Sequence, residues 1–200
     1  MKSLTPRQVK AQQTKKKILD TALHLFSEKG FNKVTVDEIV AATNTSKGAF
    51  YNHFKSKHEI FIEKFKEIDD FYLAFEAELS PGITAEEKLL QLVHAQMNYL
   101  RDYLGKDLVR TIYMNAIQPN NDRYIAQESR PLYRIVESFF AEGIENEEFS
   151  TKHSSVFMTR LFTRCLRGTL YDWCLYEEKY ELVNEATLLI ETLLEGFKRK

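Results

Sequence analysis

Apolar residues recur along this chain at intervals of three and four, the spacing that places them on one face of an α-helix. Ile18, Leu19, Ala22, Leu25 and Phe26 make one such stripe and predict a helix over residues 14–29, with Gly30 as its stop. Val36, Ile39 and Val40 make a short second stripe, and Phe50 and Phe54, four apart, a third. A long helix is predicted from about residue 56 through Phe61, Phe65, Ile68, Tyr72 and Phe75, ending before Ser80, Pro81 and Gly82. Residues 85–103 carry Leu89, Leu92, Val93, Gln96, Met97 and Leu100; a shorter helix is predicted over 108–117, then a loop over 118–122. The region 123–144 is again helical, with Pro131 either kinking it or starting its second half. Residues 154–176 and 183–197 close the chain with two wide apolar faces. No sustained period-two alternation signals a sheet, and only 7 Gly and 4 Pro interrupt 200 residues, so the fold class is all-α.

The two short stripes between residues 35 and 57 are the most specific feature. Thr35 can cap the amides of the turn that follows it, and Asp37 with Glu38 sits where the helix dipole favours anions. Asn44 falls where the chain must turn sharply, and Asn tolerates a left-handed backbone. Ser46 caps the next helix. There Phe50 and Phe54 face inward, while Lys47, Gly48, Tyr51, Asn52 and His53 lie outward or to the sides. A cation, a phenol, an amide and an imidazole are the groups that reach base edges and phosphates in a major groove, and a glycine lets backbone approach a duplex. An ordinary helical hairpin with a solvated polar face fits the same residues.

The flanks decide between these readings. I-L-D-T-A-L-H-L-F-S-E-K-G-F, then T-V-D-E-I, then S-K-G-A-F-Y-N-H-F-K-S-K-H-E-I-F resembles the N-terminal domain of the TetR family of bacterial transcriptional regulators, over about residues 14–61. The sequence departs from the family pattern at Asn44 and Thr45, where Gly and Val are usual. The resemblance implies an N-terminal three-helix DNA-binding domain (1–55) and a C-terminal helical effector-binding and dimerisation domain (56–200). It also implies a DNA-contacting set of Thr35, Thr45, Ser46, Lys47, Gly48, Tyr51, Asn52, His53 and Lys57. In that set Thr35 and Lys57 clamp phosphates from helix starts, Lys47 points at base edges, and Lys55 is a weaker candidate.

Charge fits a head that meets a polyanion. The formal net charge of −1 hides a split: residues 1–66 hold 13 Lys or Arg against 6 Asp or Glu, a balance of +7, and the remainder 15 against 23, a balance of −8. Lys2, Arg7, Lys10, Lys15, Lys16 and Lys17 form a basic arm that is either a frayed, solvated tail or a backbone or minor-groove contact.

The last two helices need a partner for their apolar faces, within the chain or across a dimer. The family resemblance implies the latter, with Leu161, Cys165, Gly168, Thr169, Trp173, Leu189 and Leu193 at a homodimer interface and Gly168 as a close-contact point. A two-fold dimer presents two recognition helices to a pseudo-palindromic double-stranded DNA operator. The resemblance also implies a small-molecule effector in the body. Candidate lining residues are Tyr72, His94, Met97, Asn98, Tyr113 and Tyr133, and so aromatic a region suits a planar or lipophilic ligand.

Other chemistry is poorly supplied. His24, His53, His58, His94 and His153 show no metal-ligand spacing, and no phosphate-binding glycine loop or nucleophile elbow occurs, so neither cofactor nor catalysis is expected. Asp69 with Asp70 and Glu147 with Glu148 read as solvated faces or turns. Cys165 and Cys174 lie on opposite sides of one helix, cannot pair within the chain, and read as buried small hydrophobes. With no apolar run of membrane-spanning length and no signal peptide, the chain is expected to be soluble and cytoplasmic. The expected function is a homodimeric repressor released from its operator by a small molecule. A DNA-bound architectural or protein-interaction factor of the same fold is the alternative, favoured by a filled body core with an exposed apolar patch; a large closed cavity favours the first.

Overall fold

A computed structural model describes residues 5–117, 124–176 and 180–199. Lys2 and the loop predicted over 118–122 lie outside the described residues. The helices are α1 (Pro6–Lys29), α2 (Val36–Thr43), α3 (Lys47–His53), α4 (Lys57–Glu78), α5 (Ala85–Asn98), α6 (Lys106–Ala116), α7 (Pro131–Glu145), α8 (Ser155–Leu175) and α9 (Leu182–Glu195). A π-helical stretch, Tyr99–Leu104, follows α5, and a 3-10 turn, Tyr124–Ala126, precedes α7. Among the described residues the β-type pairing amounts to one isolated antiparallel bridge between Phe149 and Lys198. The protein is all-α. It divides into two compact units, Met1–Glu67 with Thr111–Ile125, and Ile68–Arg110 with Ala126–Lys200.

In the first unit α1 begins eight residues before the predicted start at Thr14. Thr5 and Gln8 form a reciprocal capping box and Pro6 occupies the first helical position, where its missing amide costs nothing. The apolar stripe detects only the buried half of this helix, from Ile18 to Phe26. Gly30, at φ 83°, ends α1 and turns the chain into an aromatic cluster in which Phe26, Phe31 and Phe61 have ring centroids 5.0–5.3 Å apart.

The second unit is built on α5, α7, α8 and α9, whose inward faces bury Leu89, Leu92, Met97, Val136, Phe140, Phe162, Leu166, Ile190 and Leu194. Pro131 is the first residue of α7 and does not kink it. At Gly143 a methyl group would fall within 2.9 Å of Ala85 Cβ and against the Phe149 ring, so only glycine lets these segments close.

Four acidic residues predicted as solvated behave differently from one another. Asp69 is buried and accepts from Arg130 Nε and Nη2 at 3.0 and 2.8 Å, a geometry in which each buried charge satisfies the other, whereas Asp70 is exposed. The Glu148 carboxylate accepts from the Ala85 and Glu86 amides at the start of α5, while Glu147 sits in a turn at φ 63°. Both cysteines are half-buried rather than buried, and burial pushes both thiols up from their ordinary range.

Candidate nucleic-acid interface

The turn between α2 and α3 sets the site. Thr35 caps α2 in a reciprocal box with Glu38, and Asn44 takes up the left-handed conformation (φ 50°, ψ 46°) that ends α2. The amides of Asn44 and Thr45 then donate to Ala41 and Val40 carbonyls at 3.1 and 2.9 Å. A glycine at 44 would meet this geometry freely; Asn meets it because its short side chain tolerates positive φ. Thr45, placed where an apolar residue is usual in the resemblance, is half-buried with its hydroxyl 2.8 Å from that of Thr43. Thr43 itself donates to the Ile39 carbonyl at 2.8 Å, so the hydroxyl pair is accommodated without an orphaned group.

Ser46 caps α3 by accepting from the Ala49 amide at 3.0 Å. Phe50 and Phe54 are buried with ring centroids 5.8 Å apart and lock α3 to the unit. The spacing of Lys47, Gly48, Tyr51 and Asn52 gathers them on the opposite face, and all four are exposed. A Cβ at Gly48 would meet only Ser46 Oγ, at 3.7 Å, so nothing inside the protein requires glycine there. His53 is half-buried at the side.

The ammonium of Lys47 lies 2.7 Å from the Asp37 carboxylate, and that hydrogen bond and charge hold Lys47 above the ordinary lysine range. The local pattern assigns Asp37 only a dipole role, because pairing across the turn leaves no periodic signal in the sequence. Backbone and Lys29 hydrogen bonds keep Glu38 below the usual glutamate range.

Two predicted phosphate clamps are already engaged. Lys57 Nζ donates to the carbonyls of Phe31 (2.8 Å) and Val34 (2.5 Å) and stands 4.5 Å from the Phe31 ring centroid; burial lowers its pKa. It fastens the α1–α2 loop. The Thr35 amide donates to Glu38 Oε2 at 2.8 Å, leaving Thr35 a helix cap.

The six predicted lining residues of the body occupy different settings. Tyr72 and Met97 are core residues, and burial drives the Tyr72 phenol far above its ordinary pKa. The Tyr133 hydroxyl accepts from Arg167 at 2.7 Å, and Asn98 accepts from Arg101 at 2.9 Å. Tyr113 belongs to the first unit. His94 alone of the six lines a broad open groove of about 490 Å³ in the second unit, with Phe75, Glu87, Leu90, Gln91 and Ala95.

Of the predicted dimer residues, Thr169 and Trp173 are buried within the protomer, Leu161, Cys165 and Leu193 are half-buried, and Gly168 and Leu189 are exposed. Phe157, Gly168, Tyr171 and Leu175 share an exposed stripe of α8, and a Cβ at Gly168 would meet nothing within 4 Å.

The family model described as bacterial regulatory proteins, tetR family, matches residues 18–63, which include the whole of this two-helix reader. The chain belongs to the TetR family. It is a DNA-binding transcriptional regulator. It is similar to the fatty acid metabolism regulator protein of Bacillus subtilis (strain 168), with 23% identity over 92% of this chain and 95% of that protein. It is similar also to the HTH-type transcriptional regulator AcrR of Shigella flexneri, with 25% identity over 94% and 90%. Its fold matches that of the crystal structure of the transcriptional regulator FadR from Bacillus subtilis in complex with stearoyl-CoA, with TM-score 0.80 and 23% identity over 91% of this chain and 98% of that one. Among the described residues of this TetR-family protein, no group of three His, Cys, Asp or Glu could hold a metal ion, and no helix is long and apolar enough to cross a membrane.

Proposed function

We propose that this TetR-family regulator is a homodimeric repressor that reads a pseudo-palindromic operator with α3 and leaves it when a small molecule binds the second unit. The observation that carries the reading is the exposed face of α3: Lys47, Gly48, Tyr51 and Asn52 stand together, held from behind by buried Phe50 and Phe54. Lys47 and Asn52 supply donors for base edges, Gly48 admits the backbone to the groove, and Tyr51 reaches a base or phosphate. Thr45, Ser46 and His53 border this face and supply phosphate contacts. The exposed stripe of α8 with Leu188 and Leu189 of α9 supports a two-fold contact between protomers, centred on Gly168.

The effector acts by population shift and must prefer the DNA-incompetent state; a hundredfold preference corresponds to about 2.7 kcal/mol. The likeness to a regulator crystallised with stearoyl-CoA makes long-chain acyl-CoA the first class to test. The exposed apolar residues of α8 and α9 also fit a second reading, a ligand-independent DNA-bound factor whose body contacts a protein. Footprinting on the DNA flanking the protein's own gene, with and without stearoyl-CoA, separates them. A protected two-fold site lost on adding the thioester supports the repressor. Protection that survives saturating acyl-CoAs of several lengths supports the second reading, and no protected site contradicts both.

A further inference from the structure

The first turns of α1 do not belong to the core. Every residue from Thr5 to Gln13 is exposed, and burial begins only at Ile18. Yet these turns are helical, started by the Thr5–Gln8 capping box and Pro6. A helix exposed on all sides and shorter than about twelve residues is marginal in water, so this segment draws its order from the cap and from its continuity with the buried half of α1.

Its charge is one-sided. From Thr5 to Lys17 the chain carries Arg7, Lys10, Lys15, Lys16 and Lys17 and no acid, and the first turn has no acidic residue to offset the positive end of the helix. Lys15 alone is engaged, with Glu63 of α4. Arg7, Lys10, Lys16 and Lys17 have no hydrogen-bonding or ion-pair partner for their side chains among the described residues. Spacings of three and seven put Arg7, Lys10 and Lys17 on one face.

Lys15 also fixes where the segment lies. Its ammonium is 5.9 Å from the ring centroid of Phe54, the residue that ends α3. The exposed turns therefore start beside the C-terminal end of the recognition helix. From Lys15 back to Pro6 they extend about 14 Å, as far as about four base pairs rise along the duplex axis.

We propose that residues 6–17 are a preformed cationic arm that grips the sugar-phosphate backbone of the duplex just outside the base pairs read by α3. The inference rests on the α3 reading of DNA. Because the arm meets phosphates, its contribution is independent of flanking sequence and steeply dependent on salt.

The test uses the full chain and two duplexes: the footprinted site alone, and the same site extended by ten base pairs of unrelated sequence on each side. Wild-type protein binds the longer duplex about tenfold more tightly at low salt, whatever the flank sequence. The R7Q/K10Q/K16Q/K17Q variant, with helicity checked by circular dichroism, loses that gain. Its slope of log affinity against log salt on the longer duplex is shallower by roughly 0.9 for each phosphate contact removed. K10R/K16R/K17R, which keeps the charge, retains both. Equal wild-type affinity for the two duplexes, or an unchanged gain and slope in the glutamine variant, overturns the arm while leaving the α3 reading intact. A wild type that does not prefer the site over an unrelated duplex overturns the α3 reading and the arm with it.

Discussion

Lys47 at the start of α3 and Asp37 in α2 form an ion pair of 2.7 Å across the helix-turn-helix, with both side chains exposed. An exposed pair adds little to stability, so its consequence falls on binding. The pair orients the lysine, and it also brings a carboxylate to the face that meets DNA. Asp37→Asn is expected to tighten binding to unrelated duplexes about 3- to 10-fold and to narrow the preference for the operator, because repulsion of wrong partners is lost along with the charge. Fluorescence anisotropy on specific and unrelated duplexes measures both; an unchanged preference argues against this role.

The left-handed Asn44 fixes the angle between the two reader helices. Asn44→Gly should fold and bind as the wild type does. Asn44→Ala should lose about 1 to 2 kcal/mol of stability, the usual cost of a Cβ in that conformation. Thermal unfolding of the pair decides, and equal melting temperatures would show that the turn relaxes.

Glu63 accepts from Lys15 and, at 3.1 Å, from Lys66. Burial alone would raise its pKa, but the two lysines outweigh it and hold the carboxyl below the ordinary value of 4.5. A depressed acid contributes stability that is present above its ordinary pKa and lost as pH falls through the lower folded value. Between about pH 5 and pH 3 the wild type should therefore lose slightly more stability than Glu63→Gln, by less than about 1 kcal/mol because the site is partly solvated. Denaturant titrations at the two pH values test the difference.

Gly168 lies mid-helix with open space around it. Gly168→Ala should leave the isolated protomer equal or more stable by about 0.5 to 1 kcal/mol, since alanine favours helix. If α8 meets its partner there, the same methyl weakens the dimer. Sedimentation at graded concentrations reads the outcome, and an unchanged dissociation constant would move the interface elsewhere.

What could be read from the sequence was what is local. The caps at Thr35 and Ser46, the turn at Asn44 and the anchors Phe50 and Phe54 each announce themselves within four residues. The exposed half of α1 lacked a stripe because it buries nothing. Asp69 with Arg130, Glu148 with the start of α5, and Lys57 with the Phe31 and Val34 carbonyls join residues 23 to 63 positions apart, and no periodicity reports such pairs. Composition names Tyr72 and Met97 without saying what they face, because the same side chains line a cavity or fill a core, and both are buried.

On this reading the exposed face of α3 reads DNA. Anisotropy titrations of Lys47→Ala and Tyr51→Ala on the footprinted site, each with unrelated duplex as competitor, test it most directly. Specific binding should weaken at least tenfold in each, with unrelated binding much less affected, since a base-edge contact is worth about 1 to 3 kcal/mol. Undiminished specific binding by both variants would contradict it.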